Sequence, residues 1–177
     1  MKNIINKPIV LIGMMGTGKS TIGRKLAHKL NLKFYDSDRV IEEREGLSVV
    51  DIFDFRGEDY FRQKEQDVIT EIINYGPVVL STGGSSFTHD DVRNLIKEKA
   101  ISVWLAADLE TLYPRIARRN TRPELNCDNK KEVLAQLIAE HTPYYEQADI
   151  KIDSNDEAAH IITDLIIMKL KAITGAY

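Results

Sequence analysis

The run Gly13-Met14-Met15-Gly16-Thr17-Gly18-Lys19-Ser20 meets every fixed position of G-x-x-x-x-G-K-[ST]. Glycines at these places let successive backbone N–H groups turn inward and form an anion-binding nest. The adjoining lysine reaches terminal phosphates, and the serine hydroxyl is placed to ligate Mg²⁺. Gly16, Thr17, Gly18, Lys19, Ser20 and Thr21 are therefore candidate contacts for a nucleoside triphosphate. Two acids follow at the end of Leu32-Lys33-Phe34-Tyr35, namely Asp36 and Asp38. In an extended segment residues two apart share a face, so both carboxylates are expected to point the same way. Asp36 is a candidate for helping to hold hydrated Mg²⁺ beside Ser20. Asp38 is a candidate acceptor of a hydrogen bond, and of the proton, from an attacking hydroxyl. The same three residues, Asp36-Ser37-Asp38, also suit the cap of a helix beginning near Arg39.

Three further places carry usable chemistry. Arg62 sits near the start of an apolar-striped helical stretch, where a positive charge opposes the helix dipole and calls for a partner. That partner is either Glu65, as an i,i+3 pair on a solvated face, or an anionic group of a substrate. Thr82-Gly83-Gly84-Ser85 follows an apolar strand; paired glycines there allow close backbone approach to a ligand, or make a plain tight turn. The polar segment 118–129, with Arg115 just upstream, has little to bury, and unstructured loops of about a dozen residues are often active-site lids. Arginines on such a lid can close over phosphates, although Arg118 and Arg119 also read as a solvated basic loop. Cys127 reads as an exposed bystander, and His28, His89 and His160 lack metal-ligand spacing.

The elements needed to position these residues are legible as hydrophobic periods. Apolar runs at Pro8–Ile12, Leu32–Tyr35, Pro77–Ser81, Ile101–Leu105 and Asp149–Asp153 predict strands. Helical spacing predicts helices over Lys19–Leu30, Glu58–Tyr75, His89–Lys99, Leu109–Ala117, Lys130–Gln147 and Glu157–Lys171. Pro114 and Pro143 are expected to break or kink their helices. Five alternations of strand and helix imply an α/β fold, a three-layer sandwich with a parallel sheet, helices on both faces and ligands at the strand C-termini. With 177 residues and 43% hydrophobic content, a single domain over residues 1–177 is expected. A net charge of −3 argues against nucleic acid or an anionic membrane as the main partner. No apolar run approaches the ~20 residues of a membrane span, and no signal-peptide core stands at the N-terminus. One cysteine allows no intrachain disulfide, so a reduced, cytoplasmic setting is expected; a monomer acting on a small molecule is a separate expectation.

Taken together, these motifs resemble the shikimate kinase family. The resemblance spans about Ile9 to Leu170 and rests on the phosphate loop, Asp36-Ser37-Asp38, Gly57-Glu58 with Phe61-Arg62, Thr82-Gly83-Gly84 and Arg122-Pro123, in that order. It implies a five-stranded parallel sheet of the nucleoside-monophosphate-kinase type. It further implies transfer of the γ-phosphoryl of ATP, with Mg²⁺, to the 3-hydroxyl of shikimate on the way to chorismate and the aromatic amino acids. By the same resemblance, Lys19 contacts the β/γ-phosphates, Ser20 and Asp36 serve the metal, and Asp38 binds the acceptor hydroxyls as base. Arg62 pairs with the acceptor carboxylate, the Gly83 and Gly84 amides line its site, Arg115 and the loop around Ser154-Asn155 border the adenine, and Arg122 swings in with a lid at about 116–129. The acceptor-binding region is expected at about 36–64.

Three positions depart from the family's pattern. Ser85 stands where a third glycine is usual, which adds bulk and would matter if the backbone there required φ > 0. Glu124 places an acid in the lid. His141 stands two residues before Pro143-Tyr144-Tyr145, where the family has an arginine that makes the second charged contact to the carboxylate. A neutral imidazole supplies one hydrogen bond there, not a bidentate charged pair. These departures keep open a same-fold kinase of another small acceptor, such as gluconate or a nucleotide, and an ATP-binding relative without catalysis. A GTPase is a weaker alternative: Asp54-Phe55-Arg56-Gly57 fits D-x-x-G, but Asn129-Lys130-Lys131-Glu132 ends in the wrong acid for a guanine motif.

Overall fold

The computed structural model describes residues 5–117, 125, 127–155 and 157–175. Strand β1 (Ile9–Ile12) runs into the phosphate loop and helix α1 (Lys19–Leu30). Then follow β2 (Lys33–Asp36), α2 (Ser37–Glu45), α3 (Val49–Arg56) and α4 (Glu58–Ile73). The second half runs through β3 (Val78–Ser81), a 3-10 turn at Ser86–Thr88, α5 (Asp90–Lys99), β4 (Ile101–Ala106), α6 (Leu109–Ile116), α7 (Lys130–Tyr145), β5 (Ile150–Asp153) and α8 (Ala159–Thr174).

Among the described residues the strands form one parallel five-stranded sheet in the order β2-β3-β1-β4-β5, with Val10 opposite Leu80 on one side and Ser102 on the other. Because β1 is central, its residues are buried on both faces and read as an unbroken apolar run rather than an alternation. The period of two is still present in what each side chain meets. Ile9, Leu11, Val79, Val103 and Leu105 pack with Ile22 and Leu26 of α1 and Ile162, Ile166 and Leu170 of α8. Val10, Ile12, Leu80 and Trp104 turn the other way, into a core shared with Ile41, Ile52, Phe61, Ile69, Ile72, Ile96, Leu112 and Tyr145 from the remaining helices. These are the two outer layers of the sandwich.

Helix α3 is capped by the Ser48 side chain, and Gly57 at φ +87° turns α3 into α4. Two expectations are corrected. The carboxylates at 36 and 38 do not lie on one extended segment, because helix begins at Ser37 and Asp36 is its N-cap. Pro114 and Pro143 leave α6 and α7 continuous. Each ring deprives one carbonyl, of Glu110 or Ala139, of its i+4 donor; both residues are exposed, so water can take the donor's place.

Candidate active site

The phosphate loop leaves the C-terminal end of β1 and closes on the N-terminus of α1, where four backbone N–H groups have no partner within the helix. Gly16 and Gly18 hold φ of +82° and +88°, conformations that a side chain at either place would strain. Thr17 Oγ1 donates to the Met14 carbonyl at 2.9 Å and ties the loop across itself. The Lys19 ammonium is nearly buried and donates to the carbonyls of Gly13 (2.6 Å) and Met14 (2.9 Å). It is thereby folded over the loop rather than extended into solvent.

Ser20 and Asp36 meet although they are sixteen residues apart: the Ser20 hydroxyl donates to Asp36 Oδ2 at 2.5 Å. Asp36 Oδ1 accepts from the Arg39 amide at 3.3 Å, which is the helix-capping reading of this acid, while Oδ2 stays on the Ser20 hydroxyl. A hydroxyl and a carboxylate side by side at a phosphate loop are the hard oxygen donors that Mg²⁺ prefers, and the ion usually takes only one or two protein ligands beside water and phosphate. The pair fits the metal.

A cavity of about 560 Å³ opens over the loop, lined by Gly16 to Ile22, Asp36, Asp38, Thr82, Arg115 and Ser154 among others. Arg115 bridges its rim, donating to the Gly16 carbonyl at 3.2 Å and the Asn155 carbonyl at 2.8 Å. Asn155 Oδ1 in turn accepts from the Asp108 amide at 2.8 Å. Gly16, Thr17, Gly18, Lys19, Ser20, Thr21, Arg115 and Asn155 are thus gathered at one place. Arg122, with Arg118, Arg119 and Glu124, lies outside the described residues.

Beside this cavity, and sharing Met15 with it, is a narrower recess lined by Phe53, Phe61, Arg62, Glu65, Gly83, Gly84, Ser85, Leu137 and His141. Its volume of about 10 Å³ is close to the least that admits one water molecule, so the recess as it stands is tighter than a ring-sized acceptor needs. Gly83 is the pivot between the two spaces. A Cβ built on it would lie 2.7 Å from Glu65 Oε1, 3.1 Å from Ser86 Oγ and 3.2 Å from Asp38 Oδ1. The carboxylate expected to act as base, the Arg62–Glu65 pair and the glycine turn therefore converge. Ser85 has φ −95°, a value open to any residue, so a side chain there strains nothing in the backbone.

Arg62 takes Glu65 as its partner, one of the two that its sequence position called for. Its guanidinium donates to Glu65 Oε2 at 3.0 Å, but the face is not solvated, because the Glu65 side chain is 1% exposed and that of Arg62 18%. Glu65 also accepts from Ser86 Oγ. Burial raises its pKa, with the Asp38 charge adding to the rise and Arg62 opposing it. The part played by Glu65 in the recess was missed at the sequence level, although Phe61, Glu65, Val68 and Ile72 share one helical stripe, and an acid on an apolar stripe is itself a signal. Tyr145 was also missed. It is buried, donates to the Gly84 carbonyl, has its ring 5.8 Å from that of Trp104, and places its hydroxyl 3.4 Å from His141 Nδ1. Cys127 is half-buried rather than exposed.

The parallel sheet, the phosphate loop after its central strand and an acceptor recess holding an acid and an arginine define a phosphate-loop kinase of a small molecule. Comparison with known proteins narrows the class. The family profile for shikimate kinase matches residues 15–171. A shikimate kinase of Rhodopseudomonas palustris is 43% identical over 165 residues, covering 93% of this chain and 81% of its own length. The structure of shikimate kinase from Acinetobacter baumannii in complex with shikimate superposes with a TM-score of 0.92 at 34% identity over 94% of each chain. That from Aquifex aeolicus gives 0.81 at 30% identity over 96% of this chain and 99% of the other. The chain belongs to the shikimate kinase family.

Proposed function

We propose that this chain transfers the γ-phosphoryl group of ATP to the 3-hydroxyl of shikimate, acting as a single kinase domain in the cytoplasm. The observation that carries the reading is that Asp38 and Glu65, the buried partner of Arg62, both crowd Gly83, which lines the same recess as Arg62 beside the cavity over the phosphate loop. A carboxylated polyol fits this division, with an arginine for its acid group and a carboxylate for its reacting hydroxyl.

ATP lies with its phosphates on the amides of Gly16 to Thr21 and its base toward Arg115 and Asn155. The Lys19 ammonium exchanges its loop carbonyls for phosphate oxygens, carrying positive charge to where negative charge builds during transfer. Ser20 and Asp36 would hold Mg²⁺, directly or through water, and the ion would supply further neutralisation of the phosphate oxygens. Arg62 and His141 face the acceptor's carboxylate, and the Gly83 and Gly84 backbone lies along its ring. Asp38 accepts the hydrogen bond of the acceptor hydroxyl and takes its proton as the oxygen–phosphorus bond forms and ADP departs. Most of the rate enhancement is then positioning and charge neutralisation.

The test is ADP release from Mg·ATP with shikimate, gluconate, nucleoside monophosphates or no acceptor. Shikimate-dependent release is expected. Release with another acceptor alone favours the second reading, a kinase of a different small hydroxylated acid, which the histidine at 141 motivates. ATP binding without acceptor-dependent release would instead identify a relative that has lost catalysis.

A further inference from the structure

Among the described residues lining the acceptor recess, the side chains able to carry positive charge are Arg62 and His141. Much of the Arg62 charge is already engaged, by Glu65 at 3.0 Å and Glu58 at 3.3 Å. What His141 offers an anion depends on which ring nitrogen bears hydrogen, and the neighbouring tyrosine decides that. The Tyr145 hydroxyl has one proton and donates it to the Gly84 carbonyl, which has none to return. The contact between that hydroxyl oxygen and His141 Nδ1, at 3.4 Å, is therefore made with Nδ1 as donor. Burial pushes the Tyr145 hydroxyl well above its usual pKa, so it stays protonated. A neutral His141 with its hydrogen on Nδ1 has only a lone pair at Nε2, and a lone pair repels a carboxylate. The imidazolium carries hydrogen on both nitrogens.

We infer that His141 is a proton-gated contact for the acceptor's carboxylate. Tyr145 holds the neutral ring in the tautomer that cannot donate from Nε2, so the acid group is gripped by His141 only when the imidazole is charged, and binding draws a proton from solution. This rests on the reading of the acceptor as shikimate or another hydroxylated carboxylate. Among the described residues, charged and titratable groups near the ring include Arg62 and Glu65 from α4, Tyr145 on its own helix and, further along it, Arg93 of α5 over the Tyr144 ring. An arginine at 141 would grip the carboxylate at any pH. The histidine makes the affinity for the acceptor depend on acidity close to neutrality.

The experiment is calorimetric titration of shikimate into the full chain between about pH 6 and about pH 8.5, on either side of the usual histidine value. Each titration is run in two buffers of different ionisation enthalpy, which counts the protons taken up. Wild type is expected to take up a proton on binding above neutrality and to bind about tenfold or more weakly at the alkaline end. His141→Arg should bind with no proton uptake and no pH dependence, and His141→Gln weakly and without either. Tyr145→Phe frees the ring to place its hydrogen on Nε2, so its affinity should depend less on pH, an effect that loss of a packing contact would not produce. Wild-type binding with equal affinity at both ends and no proton uptake overturns the inference while leaving the acceptor assignment intact. No binding of shikimate at any pH by either wild type or His141→Arg overturns both.

Discussion

Arg62 donates to Glu65 at 3.0 Å across one turn of α4, and the acceptor of that bond is withdrawn from water while the donor keeps an edge on the recess. The arginine is thus held in place by a buried carboxylate and still lines the recess. Arg62→Lys should raise the Michaelis constant for shikimate about ten- to a hundredfold, or about 1.5–3 kcal/mol, because an ammonium cannot fork between two carboxylates. The constant for ATP should hardly move. Steady-state kinetics with each substrate varied separately checks both.

Glu65 gives the same pair a pH dependence. Its pKa is raised in the fold, chiefly by burial, so above the pKa of the unfolded chain the native state binds more protons than the unfolded one. Stability associated with this group is then fully present at acid pH and declines as pH rises through the native value. Glu65→Gln, which carries no proton to lose, should gain on wild type between about pH 5 and about pH 8. Urea unfolding of both proteins at each pH measures the gap; a constant gap would contradict the assignment.

Asp38→Asn keeps the shape of the side chain and removes its basicity. Turnover should fall below a hundredth of wild type, while ATP affinity changes little, because Ser20, Lys19 and the loop amides are untouched. Equilibrium nucleotide binding alongside single-turnover kinetics separates the two, and full activity would sink the assignment of Asp38 as base.

Gly83→Ala sets a methyl 2.7 Å from Glu65 Oε1, an atom pinned by Ser86 and belonging to a carboxylate pinned by Arg62. Relief requires moving the pair or Asp38, so a loss of about 1–3 kcal/mol is expected together with a fall in kcat. Thermal unfolding and kinetics report these separately. Gly84→Ala meets nothing closer than the Met15 amide at 3.4 Å and should cost less.

Ser20→Ala removes one of the two oxygens that meet at 2.5 Å. The Mg²⁺ concentration for half-maximal turnover should rise, and excess metal should restore part of the rate. A titration of activity against Mg²⁺ at fixed ATP is the check.

The alternation of strand and helix, the phosphate loop and the parallel sheet were legible in the chain because each rests on local information. A continuous apolar run marks β1, the 3.6-residue period marks α1 and α8, and eight consecutive residues specify an anion nest. Less was legible where a residue's environment comes from distant segments. The sheet order β2-β3-β1-β4-β5 sets β2 and β3 side by side, which brings Asp36 to Ser20 and Ser81 and sets Gly83 against Glu65 and Asp38. Prolines 114 and 143 do not break their helices, because a local rule about donors does not know which carbonyl can reach water.

By itself, then, the sequence determined the class of chemistry, the kind of fold and the identity of the loop that binds phosphates, since these follow from residue types at short spacing. Only the tertiary structure decided that Glu65 is a buried partner rather than a surface one, that Ser85 strains nothing, and that Tyr145 controls which nitrogen His141 can offer. Each of those depends on burial and on contacts between residues far apart in the chain, and burial and distance are what set the cost of a charge and the direction of a hydrogen bond.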